Sequence, residues 1–264
     1  MSPSSEEKQA VYTVDTEDLG PGSEKGVYDY LRLFDDVGIK STFFTTGHFA
    51  RSHPEIVKDI LAAGHEVGAH ADGHPNPSIP VAQWAPFVDE VPLDETRNHL
   101  RRNRETLTDL GATAPLGFRA PRFRITQEQF DMLGEFFDFD SSLWHGRTGL
   151  ILPSGLRELY ISRVRLIDFR LGTPLLFLPF GVMAALLLTE IAPGSPLVLY
   201  GHSYDFLKNE CRLYTPMWKQ CLYNRRCGPG QYRRVRSFLQ SMMNRGFRFD
   251  TARNVLYGAS HTSN

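Results

Sequence analysis

Short strand-like runs that alternate with amphipathic helices restrict this chain more than any other feature. Ala10 to Val14 and Ser41 to Thr46 read as strands. Between them Val27, Tyr30, Leu31, Phe34 and Val37 recur in steps of three and four, which marks one helix face, and Gly38 is placed to stop that helix. Ser52, Pro54 and Glu55 read as a capping-box start for a helix through Ile56, Val57, Ile60 and Leu61 to Gly64, and Val67 to Ala69 reads as the next strand. Leu93 to Leu110 reads as a charged helix, Leu116 to Arg119 as a strand, and Thr126 with Gln129 as the cap of a further helix through Phe130 and Leu133. Phe137 to Ser141 and Leu197 to Gly201 read as strands, Tyr232 to Asn244 as a helix closed by Gly246, and Phe247 to Asp250 as a last strand. This alternation predicts an α/β fold with a parallel sheet. Seven or eight such units predict a distorted (β/α) barrel around a parallel β-barrel core. With 264 residues the chain suits one such domain over 1–264, with polar tails at 1–9 and 251–264.

Composition narrows the partners. The net charge is −1, so nothing favours nucleic acid or an acidic polymer. The stretch Leu171 to Leu188 is apolar but interrupted by Gly172, Pro174, Pro179 and Gly181, which argues against a transmembrane segment. Cys211, Cys221 and Cys227 are odd in number and lack zinc-ribbon spacing, so they read as reduced thiols. The N-terminus lacks the apolar core of a signal peptide, and the expected location is cytoplasmic. Arg225-Arg226 and Arg233-Arg234-Arg236 are candidates for meeting phosphate on a lipid-linked or nucleotide-linked sugar, or are a solvated helix face.

Polar residues fall at strand ends. Asp15, Glu17 and Asp18 follow the first strand, and His70 and His74 follow the third. Arg119 and Arg122, then Asp140 and Trp144, then His202 and Asp205 follow later ones. In a barrel those ends converge on one mouth. His70 and His74, four apart with Gly73 and Pro75 shaping the turn, suit one divalent cation, which needs about three protein ligands in a catalytic site. Zn²⁺ is the expected metal, with Co²⁺, Ni²⁺ or Mn²⁺ as alternatives.

The motifs TVDTED, HADGHP, RAPRF, DSSLW and LYGHSYD occur in the order found in the polysaccharide deacetylases. The chain therefore resembles that family, the NodB-homology or carbohydrate esterase family 4 domain, and specifically a branch with a D-x-E-D first motif. The resemblance spans roughly Val11 to Asp205. It implies a distorted (β/α) barrel and hydrolysis of an N-acyl amide, usually acetyl, on an amino sugar. It implies His70 and His74 as metal ligands, Asp15 as general base, Arg119 as the group that holds it, and His202 as general acid. Asp205 or Asp140 would hold protonated His202. Trp144 would wall the pocket, and Arg122, where many members carry Tyr, would alter a substrate subsite. The metal-binding carboxylate stays open between Glu17, which shares a strand face with Asp15, and Asp18, the residue type most members use. Two other readings stay open: a deformylase or related hydrolase of non-peptide C–N bonds, and an inactive sugar-binding barrel.

Overall fold

The computed structural model describes residues 8–18, 22–73, 86–143, 148–149, 151–152, 154–164, 169–170, 189–190, 194–207 and 228–258. His74, Trp144, the three cysteines, the whole 171–188 stretch and Arg225-Arg226 lie outside them. The elements that build the main sheet are β1 (Lys8–Thr16), β2 (Thr42–Thr45), β3 (Glu66–Ala69), β4 (Gly117–Phe118), β5 (Phe139–Asp140) and β6 (Arg157–Glu158). Three two-residue strands follow, β7 (Arg163–Val164), β8 (Phe169–Arg170) and β9 (Thr189–Glu190), which form a separate antiparallel sheet. The chain then returns to the main sheet with β10 (Leu197–His202) and β11 (Phe247–Phe249). The helices are α1 (Ser23–Val37), α2 (Gly47–Ser52), α3 (Pro54–Ala62), α4 (Leu93–Asp109), α5 (Gln127–Met132), α6 (Pro229–Asn244) and α7 (Ala252–Tyr257).

The main sheet has eight strands in the order β10-β1-β2-β3-β4-β5-β6, with β11 also on β1, and every pairing is parallel. Beyond β6 the chain returns to the other end of that order. Ser162 N donates to Val198 O at 3.0 Å, and Val198 N donates to Ser162 Oγ at 2.9 Å. The expected α/β fold with a curled parallel sheet is what forms.

Pleat alternation sorts the side chains. On β1, Ala10, Tyr12 and Val14 join Val27, Tyr30 and Phe34 of α1 in the outer core beneath the helices. Val11 instead joins Phe44, Phe139, Val198 and Tyr200 in a smaller inner cluster. Thr13 and Asp15 share the Val11 face, so they point into the curl. Helix α7 closes its lower end with Ala252 and Leu256, and Ala252 N donates to Thr42 Oγ1 at 2.8 Å. There Glu66 accepts from Thr42 Oγ1 at 2.7 Å and from Arg253 N at 3.0 Å, while burial raises its pKa.

Local expectations fared unevenly. Thr126 and Gln129 form the capping box that their spacing implies. Ser52 does not cap α3; it ends α2, and His53 occupies the N-cap position without a side-chain bond. The tails are shorter than composition suggests, because β1 starts at Lys8 and 252–257 is a packed helix.

Gly26 on α1 sits against the turn after β10: a Cβ there would lie 1.6 Å from Ser203 O. Alanine gains about 1 kcal/mol of helix propensity over glycine. Overpacking against a backbone atom costs about 1–3 kcal/mol or more. Gly26→Ala should therefore lower the urea midpoint, and a rise would show that α1 can move off the turn without loss.

Candidate active site

The upper end of the curl is built around Arg119, which follows β4 and is fully buried. A guanidinium has five donors in a rigid fork, and here it is nearly spent on the protein. Nη1 donates to Asp15 Oδ1 at 2.8 Å and to Thr13 Oγ1 at 2.7 Å. Nε donates to Ser141 O at 3.1 Å and Nη2 to Ser141 Oγ at 2.7 Å. The guanidinium carbon also lies 4.4 Å from the centre of the Phe44 ring. Asp15 is 3 % exposed, so this is a buried ion pair.

His70 extends from the end of β3. Its Nδ1 is 2.8 Å from Arg119 O; a carbonyl only accepts, so Nδ1 carries the proton in that bond. In the neutral ring Nε2 then bears a lone pair, and it lies 3.1 Å from Glu17 Oε1. A proton on Nε2, giving an ion pair with Glu17, or a bound cation between the two atoms accounts for this approach. A neutral imidazole fixed through its other nitrogen, next to a carboxylate, is a donor set that suits zinc. Among the described residues no third His, Cys, Asp or Glu joins them, and His74 lies outside. Asp18 has its Oδ2 3.5 Å from His48 Nε2. Of the two acids left open by the sequence, Glu17 is thus the one beside His70. The strand ends at Thr16, yet its two-residue alternation carries through to Glu17.

The loop beyond His70 is locked as far as Asp72. Ala71 takes the left-handed conformation at φ 58°, and Asn103 Nδ2 donates to its carbonyl. Arg51 and Arg102 both bind the Asp72 carboxylate, the former at 2.8 Å. Gly47 allows this approach, since a Cβ there would lie 2.5 Å from Asp72 Oδ1.

His202 ends β10 and is the register partner of Asp15 on β1. Asp205 supports it from below. Its Oδ2 accepts from His202 N at 2.7 Å and from Tyr30 Oη at 2.8 Å, and its Oδ1 lies 3.7 Å from His202 Nδ1. That last distance is an ion pair, longer than a hydrogen bond, so Asp205 acts on the ring mainly by charge. Burial alone would lower the His202 pKa, but Asp205, then Asp15 and Glu17, outweigh it and raise the pKa to about 9. Tyr204 stacks on the ring at 4.7 Å and 17°.

The remaining expected residues divide. Asp205 is fully buried and holds His202 instead of facing substrate. Asp140 is fully buried too; Phe139 takes the inner face, so Asp140 points to the opposite one, against Ser142 and Glu158. It is neither a substrate contact nor the support of His202. Arg122 is exposed at the rim, at φ 56°, with its guanidinium carbon 3.9 Å from the centre of the Phe87 ring. Phe123 follows at φ 59°, 5.4 Å from Arg119 and edge-on to Tyr200. Two successive left-handed residues other than glycine are local strain of the kind found at functional sites. Thr13, Tyr30, Ser141 and Asp72 were missed; Thr13 alone carried a signal, standing two residues before Asp15 on one strand face.

The polysaccharide deacetylase profile matches residues 3–133. A peptidoglycan deacetylase of Helicobacter pylori is 33% identical over 123 residues, covering 46% of this chain and 38% of that protein. A solved peptidoglycan N-acetylglucosamine deacetylase superposes with TM-score 0.59 at 20% identity, covering 94% of this chain and 87% of that one. A carbohydrate esterase family 4 pseudoenzyme of Bacillus anthracis does so with TM-score 0.59 at 13% identity, covering 96% and 66%. These structural likenesses show the fold. Over residues 3–133 the chain matches the polysaccharide deacetylase family, and it spans 38% of the length of that Helicobacter pylori relative.

Removing one partner of a buried ion pair costs about 3–5 kcal/mol, because a charge is left uncompensated. Arg119→Met should destabilise by that amount in denaturant unfolding. Adding Asp15→Asn should recover a large part of it, whereas simple additivity would show that the pair is not coupled.

Proposed function

We propose that this chain is a metal-dependent N-deacetylase acting on an amino sugar, of the class named in its relatives. The observation that carries the reading is a single juxtaposition. Asp15, fixed by Arg119, stands in register with His202 on the neighbouring strand, beside the His70–Glu17 donor pair. His70, Glu17 and His74 would hold a divalent cation, zinc first by the chemistry of these donors. When bound it would polarise the amide carbonyl and lower the pKa of an attacking water.

The chain's own groups do the rest. Asp15 takes the water's proton through Oδ2, the carboxylate oxygen that does not accept from Arg119. Arg119 orients that carboxylate through the 2.8 Å bond to its Oδ1. His202, held as imidazolium by Asp205, protonates the leaving nitrogen, without which an amine departs poorly. Arg122 and the Phe87 ring contribute a rim that shapes the sugar subsite. Trp144 remains a candidate for its wall. The D-x-E-D motif fits this arrangement with Glu17 as ligand and Asp18 as a rim residue. Among the described residues no helix is long and apolar enough to cross a membrane. The odd cysteine count favours a reducing, cytoplasmic setting. A deformylase would use the same groups; release of amine from paired N-acetyl and N-formyl amino sugars separates the two.

Metal content by elemental analysis tests the ligand assignment. Glu17→Gln should lose bound zinc together with activity, and Asp18→Asn should retain both. The reverse pattern would hand the ligand role to Asp18.

The pH profile tests the acid. A folded pKa of about 9, above the ordinary 6.5, keeps His202 protonated through neutral pH. Turnover should therefore fall as pH rises through the folded value. Its charge also stabilises the fold below the unfolded pKa, and that contribution is lost over the same rise. Asp205→Asn should move the alkaline limb to lower pH. An unmoved limb would separate it from His202.

A further inference from the structure

A buried pair of acids lies behind Arg119, on the sheet face away from the mouth. Asp140 on β5 and Glu158 on β6 are register partners on adjacent parallel strands, and both are fully buried. Two carboxylates so placed cannot both be charged. Asp140 is well supplied with donors: Ser142 N reaches Oδ2 and Ser142 Oγ reaches Oδ1, each at 2.7 Å. Glu158 Oε1 accepts from Leu143 N at 3.2 Å, but Glu158 Oε2 is buried and meets no donor. A proton on that oxygen, shared toward the Asp140 carboxylate, satisfies both groups at once.

The two acids hold the segment that holds Arg119. Ser141, between Asp140 and Ser142, takes two of the Arg119 bonds through its carbonyl and hydroxyl, and its hydroxyl donates onward to Leu159 O at 2.8 Å. Ser142 Oγ accepts from Ala120 N at 2.8 Å, next to Arg119 in the chain. We infer that Glu158 is the protonated member of a carboxyl–carboxylate pair with Asp140, and that this pair is a positioning device. It fixes Ser141 to Leu143, and so sets the Arg119 fork that aims Asp15.

Charge favours this division of the proton. Burial raises both acids, Asp140 to about 6 and Glu158 well above the carboxylate range. The Ser142 bonds and the Arg119 charge pull Asp140 back toward ionisation, whereas the Asp140 charge pushes Glu158 further up. Among the described residues, the charged and titratable groups around the pair are Arg119 and Tyr160. A neutral Glu158 leaves Arg119 between one anion in front and one behind. A second anion behind would draw the guanidinium away from Asp15.

Two measurements test this, and only the second rests on the deacetylase reading. Infrared difference spectra at pH 7.5 should show a protonated-carboxyl stretch in the wild type that Glu158→Gln removes. Absence of the band, or its survival in Glu158→Gln, overturns the protonation. For positioning, Glu158→Gln should keep turnover within about threefold, since an amide still donates to Asp140 and accepts from Leu143. Glu158→Leu should cut kcat by about 10²-fold, the scale of an ångström's misplacement, with KM and metal content unchanged. Equal turnover in the Leu and Gln variants ends the positioning role. If Glu158→Leu fails to fold, Asp140→Asn takes its place, with the same expected kcat loss and the same refuting outcome. If the wild type itself releases no amine from any N-acyl amino sugar, the deacetylase reading fails while the infrared result stands.

Discussion

The buried Arg119–Asp15 ion pair is the interaction on which the rest of the site depends. Arg119 occupies space inside the sheet where neighbouring positions carry Phe44 and Phe139. Lysine could not replace it there, because a point charge cannot engage Thr13, Asp15 and two atoms of Ser141 together. Such a pair contributes little net stability, since desolvation offsets most of the attraction. Its contribution is order. The Arg119 side chain aims Asp15, its carbonyl fixes the tautomer of His70, and the following amide, Ala120 N, anchors Ser142.

Electrostatics around this hub come from what each buried group faces. His65 and His202 make the contrast plain. His65 lies between the rings of Phe34 and Phe43, and its Nδ1 accepts from Ser41 N at 3.1 Å. Burial, with the Lys40 charge, lowers its pKa to about 4. His202 is partly buried, but the carboxylates of Asp205, Asp15 and Glu17 reverse the sign. The same side chain is a structural neutral in one place and a held cation in the other.

The family match ends at residue 133, so it covers the acid, histidine and arginine motifs but not β10. His202, the proposed acid, therefore comes from outside the matched region. The sheet order supplies it by placing β10 directly beside β1.

The sequence by itself determined the alternation of strands and helices, the Thr126 cap and the clustering of polar groups at strand ends. Each of these is written in local periodicity, which needs no partner to be read. Ser52 was misread because a second short helix, α2, runs into the position where a cap was expected. The two-residue strands β6 to β9 carry no period at all, which is why Glu158 went unnoticed. Only the tertiary structure decided that Glu17 faces His70 while Asp18 turns to His48, and that Asp205 supports His202 while Asp140 is buried behind Arg119. It alone set Asp15 level with His202, through the parallel register of β1 and β10. Such choices are made between residues far apart in the chain. A one-residue change of register or face redirects a side chain, and no local pattern encodes it.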